Sequence, residues 1–322
     1  MSEGLFSGVF LPATLVVIMI GVGLSLTVQS FKSIILYPKA MLTGLFAQMG
    51  LLPIIAFALA DRMDIAPEYK VGLVIIAASP GGASSGLVNH LLRANVALSV
   101  SLTTINSLLV VFTMPYLTRI ALERYMGDAV TISLPFARTV GDIALMTVAP
   151  ALVGVLIRRF QPVFSRKLEQ PLRYILPILL LLAFFGVIFF DTGGESHSYS
   201  RAMSLVKPVL LLNAISMGTG YLVSRLMGLG STSGITISTE VGLQNSSLAI
   251  YVAQSLLKSG PMALVGVVYG TLTFASTILM ALAIKWLNLQ TRRINRWIRV
   301  RMGGQKANQP PTKGIGGEES IR

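Results

Sequence analysis

Long apolar stretches, each sufficient to cross a lipid bilayer, recur from one end of this chain to the other. At membrane depth no water is present to satisfy backbone N–H and C=O groups, so such stretches form helices or a closed β-barrel. Nine of them lie at about 5–30, 40–60, 70–93, 95–118, 138–158, 172–190, 206–225, 230–257 and 260–285. They are too continuous for the alternating segments of roughly ten residues that a barrel requires. The expectation is an all-α polytopic membrane protein with nine transmembrane helices. Composition agrees: 53% of the residues are hydrophobic, 12% are charged and the mean hydropathy is +0.72, outside the soluble range. Short connections point to a single transmembrane domain over 1–302, in halves at about 1–120 and 130–290. Residues 303–322, rich in Gly, Pro and Gln, read as a disordered tail.

The net charge of +13 does not indicate nucleic acid, because the cations segregate by loop. One set of alternate loops holds Lys32, Lys39, Arg158, Arg159, Arg166, Lys167 and Arg173, and the same side receives Arg292, Arg293, Arg296, Arg299 and Arg301. Cytoplasmic loops carry the excess of Lys and Arg, so the N-terminus is expected outside and the C-terminus inside a cell (inner) membrane. The first apolar stretch lacks a basic leader and exceeds a signal-peptide core, so it reads as a retained helix. The lack of cysteine excludes thiolate metal sites, and with only His90 and His197 a multi-histidine centre is not expected.

Glu240 is the only charged residue between Arg225 and Lys258. A carboxylate at membrane depth is costly and by default marks an ion or substrate pathway. The run Glu240-Val241-Gly242-Leu243-Gln244-Asn245-Ser246-Ser247 concentrates oxygen-bearing side chains around a glycine, a composition suited to an unwound cation site. A second interruption is predicted at Ser79-Pro80-Gly81-Gly82-Ala83-Ser84-Ser85-Gly86, where Pro80 removes a backbone donor and the glycines release the helix. Each broken segment is second from the end of its half, and the two run in opposite directions, as an inverted repeat predicts. Hard cations take carboxylate, amide, hydroxyl and carbonyl oxygens. Candidates are Glu240, Gln244, the mid-helix Gln48, and Ser99 and Thr103 on one helix face that Asn106 extends. Gly82–Gly86 also fits the G-x-S-x-G elbow of serine hydrolases, with Ser84 as nucleophile, but the elbow needs a preceding strand.

These residues resemble the bile acid:sodium symporter family over about 5–290, in its nine-helix form. The resemblance rests on Gly21-Val22-Gly23-Leu24-Ser25-Leu26, Ala47-Gln48, Ser79-Pro80-Gly81-Gly82, Asn95-Val96-Ala97-Leu98-Ser99-Val100-Ser101-Leu102-Thr103 and Glu240-Val241-Gly242-Leu243-Gln244-Asn245-Ser246. It implies panel and core domains, with two broken helices crossing at the centre of the core. It also implies sodium-coupled symport of a small organic anion by alternating access, a transporter and not an enzyme. One implied sodium site falls on Ser85, Ser99, Thr103 and Glu240. The other falls on Gln48, Glu240, the backbone of Val241 and Leu243, and Gln244. The anion would lie by Asn245, Ala83 and Ser84. Two positions depart from the family: Gly86 stands where Asn is common, so one amide ligand is absent, and Ala83 where Thr is frequent. A proton-coupled carrier that titrates Glu240 is the alternative.

Overall fold

Few charges and many apolar side chains leave the backbone to pair with itself, and every regular element among the described residues is a helix. The computed structural model describes residues 9–25, 37–127, 136–186 and 196–307. The ends of the stretches predicted at 5–30 and 172–190, and residues 308–322 of the tail, therefore lie outside the described residues. In chain order the helices are α1 (Leu11–Ser25), α2 (Pro38–Leu45), α3 (Leu52–Arg62), α4 (Pro67–Ala78), α5 (Ala83–Leu91) and α6 (Val96–Met126). They continue with α7 (Phe136–Phe160), α8 (Pro162–Gly186), α9 (Ser196–Leu226), α10 (Ser231–Gly242), α11 (Ser246–Tyr251) and α12 (Gly260–Ala307). Helix α12 runs past residue 303, where the tail was expected to begin. The described residues up to Leu282 form one compact unit, and those from Ala283 form a second, smaller one.

Among the described residues, five continuous helices are long and apolar enough to cross a membrane: Pro38–Arg62, Val96–Met126, Ala137–Phe160, Ser200–Leu226 and Gly260–Gln290. The predicted stretches 70–93 and 230–257 are absent from that set because each is split into two short helices. Large apolar side chains on the outer faces, such as Leu145, Phe160, Leu222 and Leu279, are exposed, as lipid-facing residues are.

Helix α2 passes into α3 through a π-helical turn, Phe46–Leu51. Pro53 has no N–H to offer the carbonyl four residues back and its ring crowds that carbonyl, so the chain widens there instead of continuing as an α-helix. Both split segments end alike: the chain leaves α5 through Arg93 at φ 51° and the α11 segment through Lys258 at φ 54°. Left-handed residues of this kind reverse a helix end sharply, and each is followed at once by the next long helix.

Helices α1 and α7 meet backbone to backbone. A methyl group added at Gly23 would lie 3.0 Å from Gly154 Cα, and one at Gly154 would lie 2.8 Å from Leu24 N. In lipid, small residues permit the close approach on which helix association depends. The C-terminal carbonyl of Leu24 is satisfied from outside α1, accepting from Arg158 and from Ser165 Oγ. Gly154→Leu should therefore lower stability by roughly 1–3 kcal/mol or more, the cost of overpacking, read as a fall in the thermal unfolding midpoint in detergent.

Candidate functional site

The two interruptions meet. Ser79 precedes Pro80 and is held extended at φ −78°, ψ 132°, the region that a following proline enforces, so α4 stops at Ala78. Gly82 is also extended, and α5 restarts at Ala83. In the second segment α10 ends at Gly242, Leu243 is extended at φ −105°, ψ 108°, and Asn245 caps α11 by accepting 3.1 Å from Leu248 N. The Asn245 N–H then donates 2.8 Å to Pro80 O, joining one break to the other. Both breaks are narrower than the sequence suggested. They span 79–82 and 243–245, so Ser84, Ser85 and Gly86 belong to α5, and Glu240 stays in the last turn of α10.

Glu240 is 1% exposed at this crossing. Its carboxylate accepts from Ser99 Oγ, from Thr103 Oγ1 at 2.8 Å and from Asn89 Nδ2 at 3.5 Å, while the Ser85 hydroxyl interacts with it and donates 2.8 Å to Gly82 O. Spacing explains the pair on α6, since Ser99 and Thr103 share a face. Among the described residues no Lys, Arg or His forms a salt bridge with Glu240. The carboxylate is thus surrounded by neutral hydrogen-bond donors, and among the described residues no cationic side chain pairs with it. Gly81 is what lets the first break approach: a methyl group there would lie 2.6 Å from Glu240 Oε2 and 3.5 Å from both Glu240 O and Leu243 O.

A second cluster adjoins it. Gln48, in the π-helical turn, donates 2.7 Å to Gln244 Oε1 and weakly, at 3.5 Å, to Ser79 O, so one amide touches both broken segments. Gln244 donates 2.6 Å to Val241 O. Gln48 Oε1 is buried without a partner, and the same holds for Asn245 Nδ2, Ser246 Oγ and Ser247 Oγ. Buried polar atoms are normally satisfied, so this group of unpartnered atoms at one crossing makes it the candidate site. Among the described residues no three His, Cys, Asp or Glu side chains converge. The donor set is one carboxylate with amide, hydroxyl and carbonyl oxygens, which suits a hard monovalent cation and not a transition metal.

The crossing therefore brings together Ser85, Ser99, Thr103 and Glu240 in one cluster and Gln48, Val241 and Gln244 in the other, with the Leu243 carbonyl beside Gly81. Asn245 lies next to Gly82, whose added methyl would be 3.9 Å from Asn245 Cα. Ser84 is half-buried in α5. The side chain of Ala83 lies outside the described part. Asn106 is buried, and neither of its amide atoms has a hydrogen-bond partner among the described residues. The serine-hydrolase elbow is absent, because helix α4 and not a strand precedes Gly82–Gly86.

Two contributors were not anticipated. Asn89, one turn after Ser85 on the same helix face, sits against Glu240 and Ser99; the four-residue spacing was the available signal. Behind α10, Gly242 O accepts from Asn213 Nδ2 at 2.7 Å and from Tyr269 OH at 2.6 Å. Ser276 Oγ in turn donates 2.7 Å to Asn213 Oδ1. These bonds hold the end of α10 in place from α9 and α12.

The model of the sodium bile acid symporter family matches residues 12–195. The probable sodium/metabolite cotransporter BASS1, chloroplastic, of Oryza sativa subsp. japonica is 30% identical over 73% of this chain and 56% of its own length. The uncharacterized sodium-dependent transporter YocS of Bacillus subtilis is 28% identical over 74% of this chain and 71% of its own. The human ileal sodium/bile acid cotransporter is 25% identical over 74% and 67% respectively. The chain thus spans a little over half the length of the plant relative. These relatives are named as transporters, in keeping with a membrane carrier and not an enzyme. By the extent of the family match and the agreement of these relatives, the chain belongs to the sodium bile acid symporter family.

Proposed function

We propose that this protein is a secondary symporter that couples sodium to the movement of a small organic anion by alternating access. The observation that carries the reading is Glu240: a buried carboxylate at the meeting of two helix breaks, with hydroxyl and amide groups around it and, among the described residues, no cationic side chain paired to it. An ion of opposite charge is what such a group lacks. Ser85, Ser99, Thr103 and Glu240 would hold one sodium ion; Gln48, Glu240, the Val241 and Leu243 carbonyls and Gln244 would hold a second. Two ions against one carboxylate leave an excess positive charge beside Asn245, whose Nδ2 points to an anion as the substrate. Ala83 and Ser84, at the start of α5, would line the same space.

In this reading the two split segments are equivalent members of an inverted repeat with nine crossings, the N-terminus outside and the C-terminus in the cytoplasm. The left-handed turns at Arg93 and Lys258, each closing a broken segment, support that equivalence. The backbone bond between Asn245 and Pro80 makes each break depend on the other, so cations that fix one would order the other and complete the anion pocket.

Uptake of candidate anions into proteoliposomes, with a sodium or a potassium gradient at fixed pH, tests this directly. Uptake is expected only with the sodium gradient; uptake that follows a pH gradient and ignores sodium would favour proton coupling through Glu240. Gln48→Leu keeps the size of the side chain and removes its amide. It should raise the sodium concentration for half-maximal uptake about tenfold, the effect of losing roughly 1.4 kcal/mol of binding.

A further inference from the structure

We propose that Asn89 is itself a ligand of the sodium ion held by Ser85, Ser99, Thr103 and Glu240, supplying the amide oxygen that Gly86 cannot. The inference rests on the symport reading above. Asn89 is completely buried, and its amide is placed between the carboxylate and the hydroxyl of that site. Nδ2 donates 3.1 Å to Ser99 Oγ and 3.5 Å to Glu240 Oε1, while Oδ1 accepts 2.7 Å from Thr239 Oγ1. On α5 the side chains of Ser85 and Asn89 both reach Glu240, whereas an added methyl at Gly86 would meet nothing within 4 Å.

The amide is built to turn over. A cation drawn to Glu240 needs lone pairs, and a half-turn about χ2 exchanges Nδ2 for Oδ1 in nearly the same volume. The turn leaves no donor stranded. Thr239 Oγ1 also lies 2.8 Å from Thr236 O, so its proton has that acceptor, and its lone pairs can receive the reversed Nδ2. Ser99 Oγ, released from Nδ2, presents a lone pair to the same ion. Asn89 thus offers a donor to the bare carboxylate and an oxygen to the cation, and ion entry drives the exchange. Because Thr239 lies in α10 and Asn89 in α5, the exchange reaches both broken helices at once.

The test uses the full-length purified protein in detergent and reads the thermal unfolding midpoint against sodium concentration, with potassium holding ionic strength constant. No transport is needed. Asn89→Leu keeps the volume and loses the oxygen, and should raise the half-maximal sodium concentration about 10–100-fold. Asn89→Asp keeps an oxygen and should bind sodium at least as well as the native protein, while unfolding earlier in potassium alone. A native sodium midpoint in Asn89→Leu, or weakened sodium binding in Asn89→Asp, would overturn the assignment. If the native protein itself shows no sodium-specific shift, the symport reading falls and this one with it; a native shift that Asn89→Leu leaves unchanged removes this inference alone.

Discussion

Glu240→Gln is expected to reduce sodium-driven uptake to background, roughly a hundredfold or more, while leaving a folded protein that no longer responds to sodium. The carboxylate is held by Ser99, Thr103 and Asn89 and is almost wholly removed from solvent. A buried charge without a counter-charge costs several kcal/mol, whereas an amide of the same shape carries no such penalty. In potassium the variant should therefore unfold at the same temperature as the native protein or above it. In sodium the order should reverse. At a concentration 100-fold above the dissociation constant, one ion stabilises the native protein by about 2.7 kcal/mol, and the variant gains nothing. A variant that lost activity by misfolding would instead unfold early in both salts, so the two-salt comparison separates the explanations.

Gly81→Ala is the second large effect. Its methyl would lie 2.6 Å from Glu240 Oε2, nearer than a carbon and an oxygen can pack, with the carbonyls of Glu240 and Leu243 just behind. Either the carboxylate swings away from Ser99 and Thr103 or the two breaks separate, and the Asn245–Pro80 bond is stretched with them. Overpacking of this kind costs about 1–3 kcal/mol. Taken from sodium affinity, that corresponds to a rise of roughly 10–100-fold in the half-maximal sodium concentration for uptake. Gly86→Ala, where an added methyl meets nothing within 4 Å, is the matched control and should behave as native. A Gly81→Ala protein with native sodium dependence would show that the first break does not form part of the ion site.

The helical, membrane-bound character was legible because water is absent at membrane depth and leaves the backbone few choices. Breaks were legible at Ser79-Pro80-Gly81-Gly82, where proline removes a donor, and near Gly242, where oxygen-rich residues follow. Their exact extent was not. Glycine and serine permit unwinding without requiring it, and the helix resumes as soon as caps or intrahelical bonds are available, at Ala83 and at Ser246 behind Asn245. Ser99 and Thr103 were readable from their spacing, and the same face suggested Asn106. In the structure Asn106 is buried and hydrogen-bonds to neither cluster. Periodicity finds a face but not the depth at which the partner helix arrives. Asn89 was obscured for the opposite reason: its partners Glu240 and Thr239 are about 150 residues away, and only the tertiary crossing brings them together. The support of Gly242 by Asn213 and Tyr269 was hidden in the same way.

Equilibrium binding of radioactive sodium to the purified protein, alongside Glu240→Gln, addresses the central claim without any knowledge of the transported anion. The account predicts saturable binding that unlabelled sodium displaces and potassium does not, approaching two ions per chain, and its loss in Glu240→Gln. Sodium binding undiminished by that substitution, or absent from the native protein, would contradict it.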